Sequence, residues 1–574
     1  MMILSRRTLA VTFGLLIPVL FLPASQAETP PAPTGPPAIT LSLADAVKMG
    51  LENNLDIKVA KQTPLIREQD IIFQEAVFDP NFGATAFKSD NSQPSQNVFD
   101  IGTSGSIVSL DSTVTDYAAG WGDRMRWGGS YTADLRLTRF TSTSRNAVFP
   151  TSYQTSFEVA YNQALLRNFG TKANETNIVI AQNNQAISRS QFRQQVLDVL
   201  KATEDAYWEL VFARQDLDVK GEALALAQEL LKLNKIKVQV GTLPPIEITT
   251  AEAEVANREQ GVIVAENAVR DAEDRLRSVL NMPKQDDSWS RPIAPLDTPT
   301  YVERAVDLPA ELEKAISSRP DLEQARLSTS TADARVMFDR NQLKWDLNVR
   351  AAYMLRGLAG DAGSQPLFPV FCDDNGLFDP NTMTIVGGTS GNGRCDGGEL
   401  PNPTYPLGLV GENQTFAFSQ TQNDNFLDSL YQIRDTDFES WSLSLALGIP
   451  IGNRSAEASY MGSRLAKEQS NIIYERAKLN AEVQVRTAAR AILTNKKRID
   501  AAEKNVELQR KKVEAEQKKF ENGMSTSFQV LEFQEDLTTA LGTKNRSLVD
   551  YRKSLTALEQ AKGTLDQYLK VTVQ

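Results

Sequence analysis

Residues 441–459 read WSLSLALGIPIGNRSAEAS and change period in their middle. Trp441, Leu443, Leu445, Leu447 and Ile449 alternate with Ser442, Ser444, Ala446 and Gly448, which describes a strand with one apolar face and one small, polar face. Pro450 and Gly452 interrupt the alternation. Beyond them Val485, Ala488, Ile492, Ile499, Ala502, Val506, Val513 and Phe520 recur at three-four spacing to about Glu521, the pattern of a helix packed laterally against others. The stretch therefore predicts a two-faced strand feeding a helical rod of roughly 100 Å at 1.5 Å per residue.

Such a rod is one half of a duplication. LADAVKMGLENNLDI from Leu43 matches LPAELEKAISSRPDL from Leu308 at a shift of 265 residues, and VQVGTLPPIEITTAEAEV from Val238 matches FENGMSTSFQVLEFQEDL from Phe520 at a shift of 282. Between them SFEVAYNQALL from Ser156 lies on SLSLALGIPI from Ser442. Three matches in one order predict two structural repeats, 41–298 and 299–574. Each holds a short helix, strands, a long helix, a glycine-containing turn and a shorter helix. In the first repeat the long helix is predicted over Thr171–Val240. The N-terminal helix (41–77) and the helix after the turn (246–281) together match its length, so the two short helices are expected to stack end to end beside it.

Several function classes are disfavoured at once. The 574 residues include no histidine, which removes the usual general base near neutral pH and the commonest transition-metal ligand. A net charge of −11 provides no basic face for nucleic acid. Gly387-Gly388-Thr389-Ser390-Gly391 lacks the lysine of a phosphate loop. The residues predict neither an enzyme nor a nucleic-acid partner, and no cofactor. Asp373, Asp374, Asn375, Asp379, Asp396 and Glu399 could hold Ca2+ but lack the full twelve-residue loop spacing, and they read first as solvated surface acids.

The N-terminus predicts export. Arg6 and Arg7, an apolar run from Leu9 to Leu22 and Ala24-Ser25-Gln26-Ala27 make a signal peptide over 1–27, by the general secretory or the twin-arginine route, with a Pro-rich leader over 28–40. No other segment approaches 18 consecutive apolar residues, so a membrane would be crossed by strands. The two cysteines, Cys372 and Cys395, predict a disulfide in an oxidising compartment, with two free thiols as the alternative.

Tyr153, Thr155, Phe157, Val159 and Tyr161 alternate with polar or small residues, as do Trp345, Leu347, Val349, Ala351 and Tyr353. With aromatic ends, these are the strands of a membrane barrel wet on the inside. Asp346 and Arg350, with Ser442 and Ser444, are expected to line the lumen, as are Asp134 and Arg136. Phe82–Lys88, Val114–Trp121 and Tyr131–Phe140 are further strand candidates, so the first repeat can carry more strands than the second. Four to six strands cannot close around an open lumen, so the barrel must be shared between chains. The region 358–437, rich in Gly, Asn, Asp and Pro, reads as a long external loop.

The order LSLADAVKMGLENNLDI, NQALLRNFG, VGTLPPIEITTAEAEVANRE, LGIPIGNR and NGMSTSFQVLEFQ resembles the TolC-like outer-membrane factors over nearly the whole mature chain. The resemblance implies an α+β membrane protein in the outer membrane. Three copies, with four strands each, would complete one 12-stranded transmembrane β-barrel against outer-membrane lipid. A long α-helical coiled-coil barrel would continue it across the periplasm. It also implies an exit duct for drug efflux or type I secretion, working with a periplasmic adaptor (membrane fusion protein) and an inner-membrane transporter. By the resemblance, Val240, Gly241, Thr242 and Leu243 in one repeat and Asn522, Gly523, Met524 and Ser525 in the other form the tips that contact the adaptor and close the entrance. The two acids the family often carries past the second tip read Gln529 and Glu532 here, with Glu247 beside the first tip. Pro450 matches the family's strand-to-helix turn, whereas Ala164 departs from it. Two other classes also build helical hairpins, a periplasmic adaptor and a non-channel coiled-coil structural protein. The first would need a β domain split around one hairpin, and the second has no use for duplicated two-faced strands.

Overall fold

The computed structural model describes residues 38–95, 108–144, 147, 149–284, 289–361 and 425–571, with isolated backbone segments between 362 and 424. The signal peptide and nearly all of the leader lie outside these residues. So do the side chains of Cys372, Cys395 and the acidic group around them.

The first repeat runs β1 (Ile39–Leu41), α1 (Leu43–Asn53), α2 (Leu55–Glu75), β2 (Asn81–Pro94), β3 (Ser109–Arg124), β4 (Gly129–Ser142), β5 (Thr151–Ala164), α3 (Thr176–Gln239) and α4 (Ile246–Leu280). After β6 (Ile293–Pro295) the second continues with α5 (Leu308–Ser318), α6 (Pro320–Gln342), β7 (Asp346–Asp361), α7 (Phe426–Asp435), β8 (Phe438–Gly448), α8 (Arg454–Glu521) and α9 (Ser527–Lys562). The 265-residue shift carries α1 onto α5 residue for residue, down to the bonds that end each helix: Asn54 N to Gly50 O and Arg319 N to Ala315 O, both 3.1 Å.

Four helical columns stand side by side. In order they are α2 with α4, then α3, then α6 with α9, then α8; α3 packs on α2, α4, α6 and α9, and α8 on α6 and α9. The long helices have 64 and 68 residues, about 100 Å at 1.5 Å per residue. The long helix of the first repeat starts at Thr176, five residues later than its spacing predicts, because Thr171–Asn174 forms a separate turn. The columns are held by small clusters along the rod rather than by one core. The largest gathers Tyr207, Leu210, Leu276, Leu280 and Val549 under the β1–β6 pair. The Tyr207 hydroxyl there donates to Asp297 at 2.7 Å and so ties the linker between the repeats to α3. No helix among the described residues is long and apolar enough to cross a membrane.

The six long strands form one antiparallel sheet in the order β8-β7-β5-β4-β3-β2. Here the structure departs from the four strands per chain that the resemblance implied. The first repeat supplies four strands and the second two, so the sheet has six. Three such sheets hold more strands than a 12-stranded barrel accommodates. The strands are also longer than their alternation predicts, 16 residues in β3 and β7. In the 358–437 region β7 runs on to Asp361, and α7 lies against β5 and β7, with the Thr155 and Ser429 hydroxyls 2.5 Å apart.

Register separates the faces. Ser442 opposes Ala352, Ser444 opposes Arg350 and Gly448 opposes Asp346 on one side. The other side carries a row that crosses the whole sheet: Phe82, Trp121, Ala133, Val159, Tyr353 and Trp441, each opposite the next.

Candidate functional site: the sheet face and the hairpin tips

Two regions at opposite ends of the rod hold the residues singled out in the sequence. At the sheet end, Asp346, Arg350, Ser442 and Ser444 share the polar face. Their neighbours there neutralise one another: Arg350 pairs with Glu158 at 2.8 Å across β5–β7, and Arg136 pairs with Asp116 at 2.7 Å across β3–β4. Asn348 donates to Asp346 at 2.7 Å. A face lined by paired charges and hydroxyls suits water, whereas the opposite face of Leu347, Val349, Leu443, Leu445 and Leu447 suits hydrocarbon. The strand becomes a helix through Pro450 and Gly452, the latter at φ +79°. The first repeat makes the same transition through Asn168 (φ 60°) and Gly170 (φ +93°) instead.

At the other end the two hairpin turns are built alike. Gly241 N bonds to Val238 O and Thr242 N to Lys237 O; Gly523 N bonds to Phe520 O and Met524 N to Lys519 O. Each pair lies 282 residues from its counterpart. Both glycines adopt a left-handed conformation, at φ +78° and +73°, which lets the turn return its last amides to the preceding helix. Val240 and Met524 project as exposed apolar side chains, 67% and 71% accessible. Leu243, by contrast, packs inward on Ala227, Leu230, Phe520, Val530 and Leu531, which brings the two hairpins together.

Two contacts that the sequence does not reveal fasten the hairpins. Lys237, near the end of α3, donates from Nζ to Phe520 O at 3.1 Å and sits 3.9 Å from the centre of the Phe520 ring. Its ammonium thus meets both the negative end of α8 and an aromatic face. The buried Ser527 hydroxyl donates to the Glu247 carboxylate. Glu247 accordingly bridges α4 to α9 besides sitting in the first turn of α4. The nearest signal in the sequence is the alignment of Lys237 with Lys519 across the repeats, but Lys519 turns to Glu516 of its own helix at 2.9 Å.

Gln529 and Glu532 do not join Glu247. Gln529 lies 2.9 Å from the Ser525 hydroxyl, which also reaches Glu516 at 2.5 Å. That hydroxyl and the Lys519 ammonium hold the Glu516 carboxyl below the usual carboxylate range. Glu532 is exposed and borders a groove between α4 and α9 with Glu254, Glu535, Asn257 and Phe528. Glu254 and Glu535 both pair with Arg258, at 2.6 and 3.7 Å, which leaves Glu532 as the freer acid of the groove.

The fold is shared with solved outer-membrane channels. CmeC of Campylobacter jejuni superposes with a TM-score of 0.57 at 14% identity, covering 96% of this chain and 94% of that one. VceC of Vibrio cholerae gives 0.57 at 13% identity, covering 91% and 96%. The open state of MtrE from Neisseria gonorrhoeae gives 0.55 at 15% identity, covering 91% and 89%. No curated protein matches the chain in sequence. The model of the outer membrane efflux protein family matches twice, over residues 130–282 and 414–564, once in each repeat and together more than half of the chain. With a duplicated strand-to-rod architecture and a family match in both copies, the chain belongs to the outer membrane efflux protein family.

Proposed function

We propose that this outer-membrane protein is the exit duct of a tripartite efflux or type I secretion system, assembled from three copies and gated at its hairpin tips. The reading rests on one observation above the others: a sheet with a hydrocarbon face and a paired-charge face runs without a break into a rod of four helical columns. Neither a stalk nor an adaptor has a use for such a sheet. The duct performs no chemistry. Its moving part is the pair of hairpins, and a periplasmic adaptor that binds the separated arrangement more tightly would shift the tips open. Val240 and Met524, exposed at the turns, are the side chains such an adaptor meets first. An inner-membrane transporter would select the cargo.

Single-channel conductance of the purified protein in planar bilayers tests the reading, with chemical cross-linking for copy number. Folded trimers that pass no current would end it. Three copies of Glu532 near a common axis attract cations, so Glu532→Gln is expected to weaken cation preference in the same recording. Unchanged selectivity would remove Glu532 from the gate.

A further inference from the structure

We infer that the hairpin β2–β3 is an integral third of each chain's barrel wall and that the free edge of β2 pairs with β8 of the next copy, so that three copies close an 18-stranded barrel. The inference rests on the trimeric reading above for its copy number, and on the sheet itself for its strand count.

Among the described residues, the two outermost strands of the sheet are its unpaired edges. β8 is exposed at every residue, and β2 at all but Ser89, on the polar and the apolar face alike. Trp441, Leu443 and Leu445 are 76%, 68% and 67% accessible, against 39% for Val159 inside the sheet. In hydrocarbon a row of unpaired backbone N–H and C=O groups is not tolerated, so both edges must find a strand. Six is an even number, and every neighbour in the sheet is antiparallel. β8 and β2 therefore run in opposite directions, and a second copy can dock its β2 on β8 as one more antiparallel pair. The faces agree as well. Phe82, Ala84 and Ala86 share the side of Trp441, Leu443 and Leu445, and Thr85 and Ser89 share the side of Ser442 and Ser444.

Width supports the count. Strands 4.7–4.9 Å apart and tilted by 35–45° give six strands an arc of about 34–42 Å. Four helical columns at 8–10 Å occupy about 32–40 Å. Wall and rod thus match in width chain by chain. The hairpin is also fixed into that junction. The turn after β3 places Arg126 on Glu175 at 3.0 Å, at the head of α3, and over the Phe78 ring at 5.5 Å, at the foot of β2. Trp127 O accepts from Gly170 N at 3.0 Å. The turn fills the space between the columns of α2 and α3, where β2 enters the sheet and β5 leaves it.

Cysteine cross-linking of the assembled protein tests this. In a chain whose two native cysteines are replaced by serine, Leu445→Cys is combined in turn with the apolar-face positions of β2, Phe82→Cys, Ala84→Cys, Ala86→Cys, Lys88→Cys, Asp90→Cys and Ser92→Cys, so that the series scans the register. A short bismaleimide is then applied in membranes. Covalent trimers on a denaturing gel are the expected result. A second series combines Leu445→Cys with Ala133→Cys or Leu135→Cys in β4 and is expected to give no covalent oligomer, since β4 is already paired on both sides. Trimers in the β4 series would mean that β2–β3 lies outside the wall, which overturns the inference and leaves the trimeric duct intact. A β2 series that stops at covalent dimers would mean twelve strands from two chains, overturning the eighteen and the trimer together. Each variant's insertion is checked by its resistance to urea extraction, and one inserted variant per series suffices for the comparison.

Discussion

Glu204 shows what a single residue can hide. It lies in α3 between Thr203 and Asp205, and in a helix defined by Val199, Thr203, Ala206 and Leu210 it reads as part of the wet face. In the structure it is buried, accepting a hydrogen bond from the Thr556 hydroxyl of α9. Burial pushes its carboxyl up to about 6 from 4.5. A raised acid favours the protonated form in the fold, so its stabilising contribution is complete below pH 4.5 and is lost as pH rises through 6. At pH 7.5 the ionised group costs about 2 kcal/mol at 1.36 kcal/mol per pKa unit. Glu204→Gln should therefore raise the melting temperature at pH 7.5 and leave it unchanged at pH 4; a variant less stable at pH 7.5 would show that the ionised form is the one the fold prefers. Nothing in the local sequence marks this residue, because the groups that bury it come from a helix some 350 positions away.

Elements were legible where they repeat and illegible where they lean on a distant partner. The tip turns could be placed because Gly241 and Gly523 stand at the same point of two matching segments, and only the left-handed turn explains a glycine there. The end of β2 and the start of β3 could not, because Lys88, Asp90 and Asp111 break the apolar alternation on their face. The interlock of the hairpins was also invisible, since Lys237 meets Phe520 across 283 residues. That contact belongs to the relation between α3 and α8, and its loss should act on the hairpins rather than on the fold. Lys237→Ala removes a cation–π contact and a charge-assisted hydrogen bond, together about 1–2 kcal/mol. Amide exchange at residues 519–526 should accelerate several-fold while the melting temperature stays within a degree or two. Unchanged exchange would show that Phe520 and Leu531 hold the tips without help. Lys237→Arg retains the charge and should restore most of the protection.

At the scale of the whole molecule, the sheet's two faces decide where the protein can live. The period-two pattern around Trp441 was enough to separate them, because register fixes a face for every residue once one strand is placed. What the pattern could not supply was the number of strands, since an edge and an interior strand alternate alike. The assignment of the faces has a sharp consequence for charge. Arginine placed on the hydrocarbon face of a barrel costs up to about 2–4 kcal/mol near the bilayer midplane, whereas the wet face accepts it. Leu445→Arg and Ser444→Arg are adjacent on β8 and equal in the charge they add, so they differ only in direction. Refolded into liposomes, the Leu445→Arg chain should show a clearly reduced fraction of heat-modifiable, folded protein on a cold gel. The Ser444→Arg chain should insert like the parent and shift ion selectivity toward anions, joining Arg350 on the cross-strand row. Equal insertion of the two would mean that β8 does not face lipid, and the sheet would then have to be turned over or removed from the membrane. Reversed behaviour would place the leucine face inward, which no water-filled duct can tolerate. The experiment thus tests with two neighbouring residues the property on which the strand-to-rod architecture depends, that one side of the sheet is oil and the other is the passage.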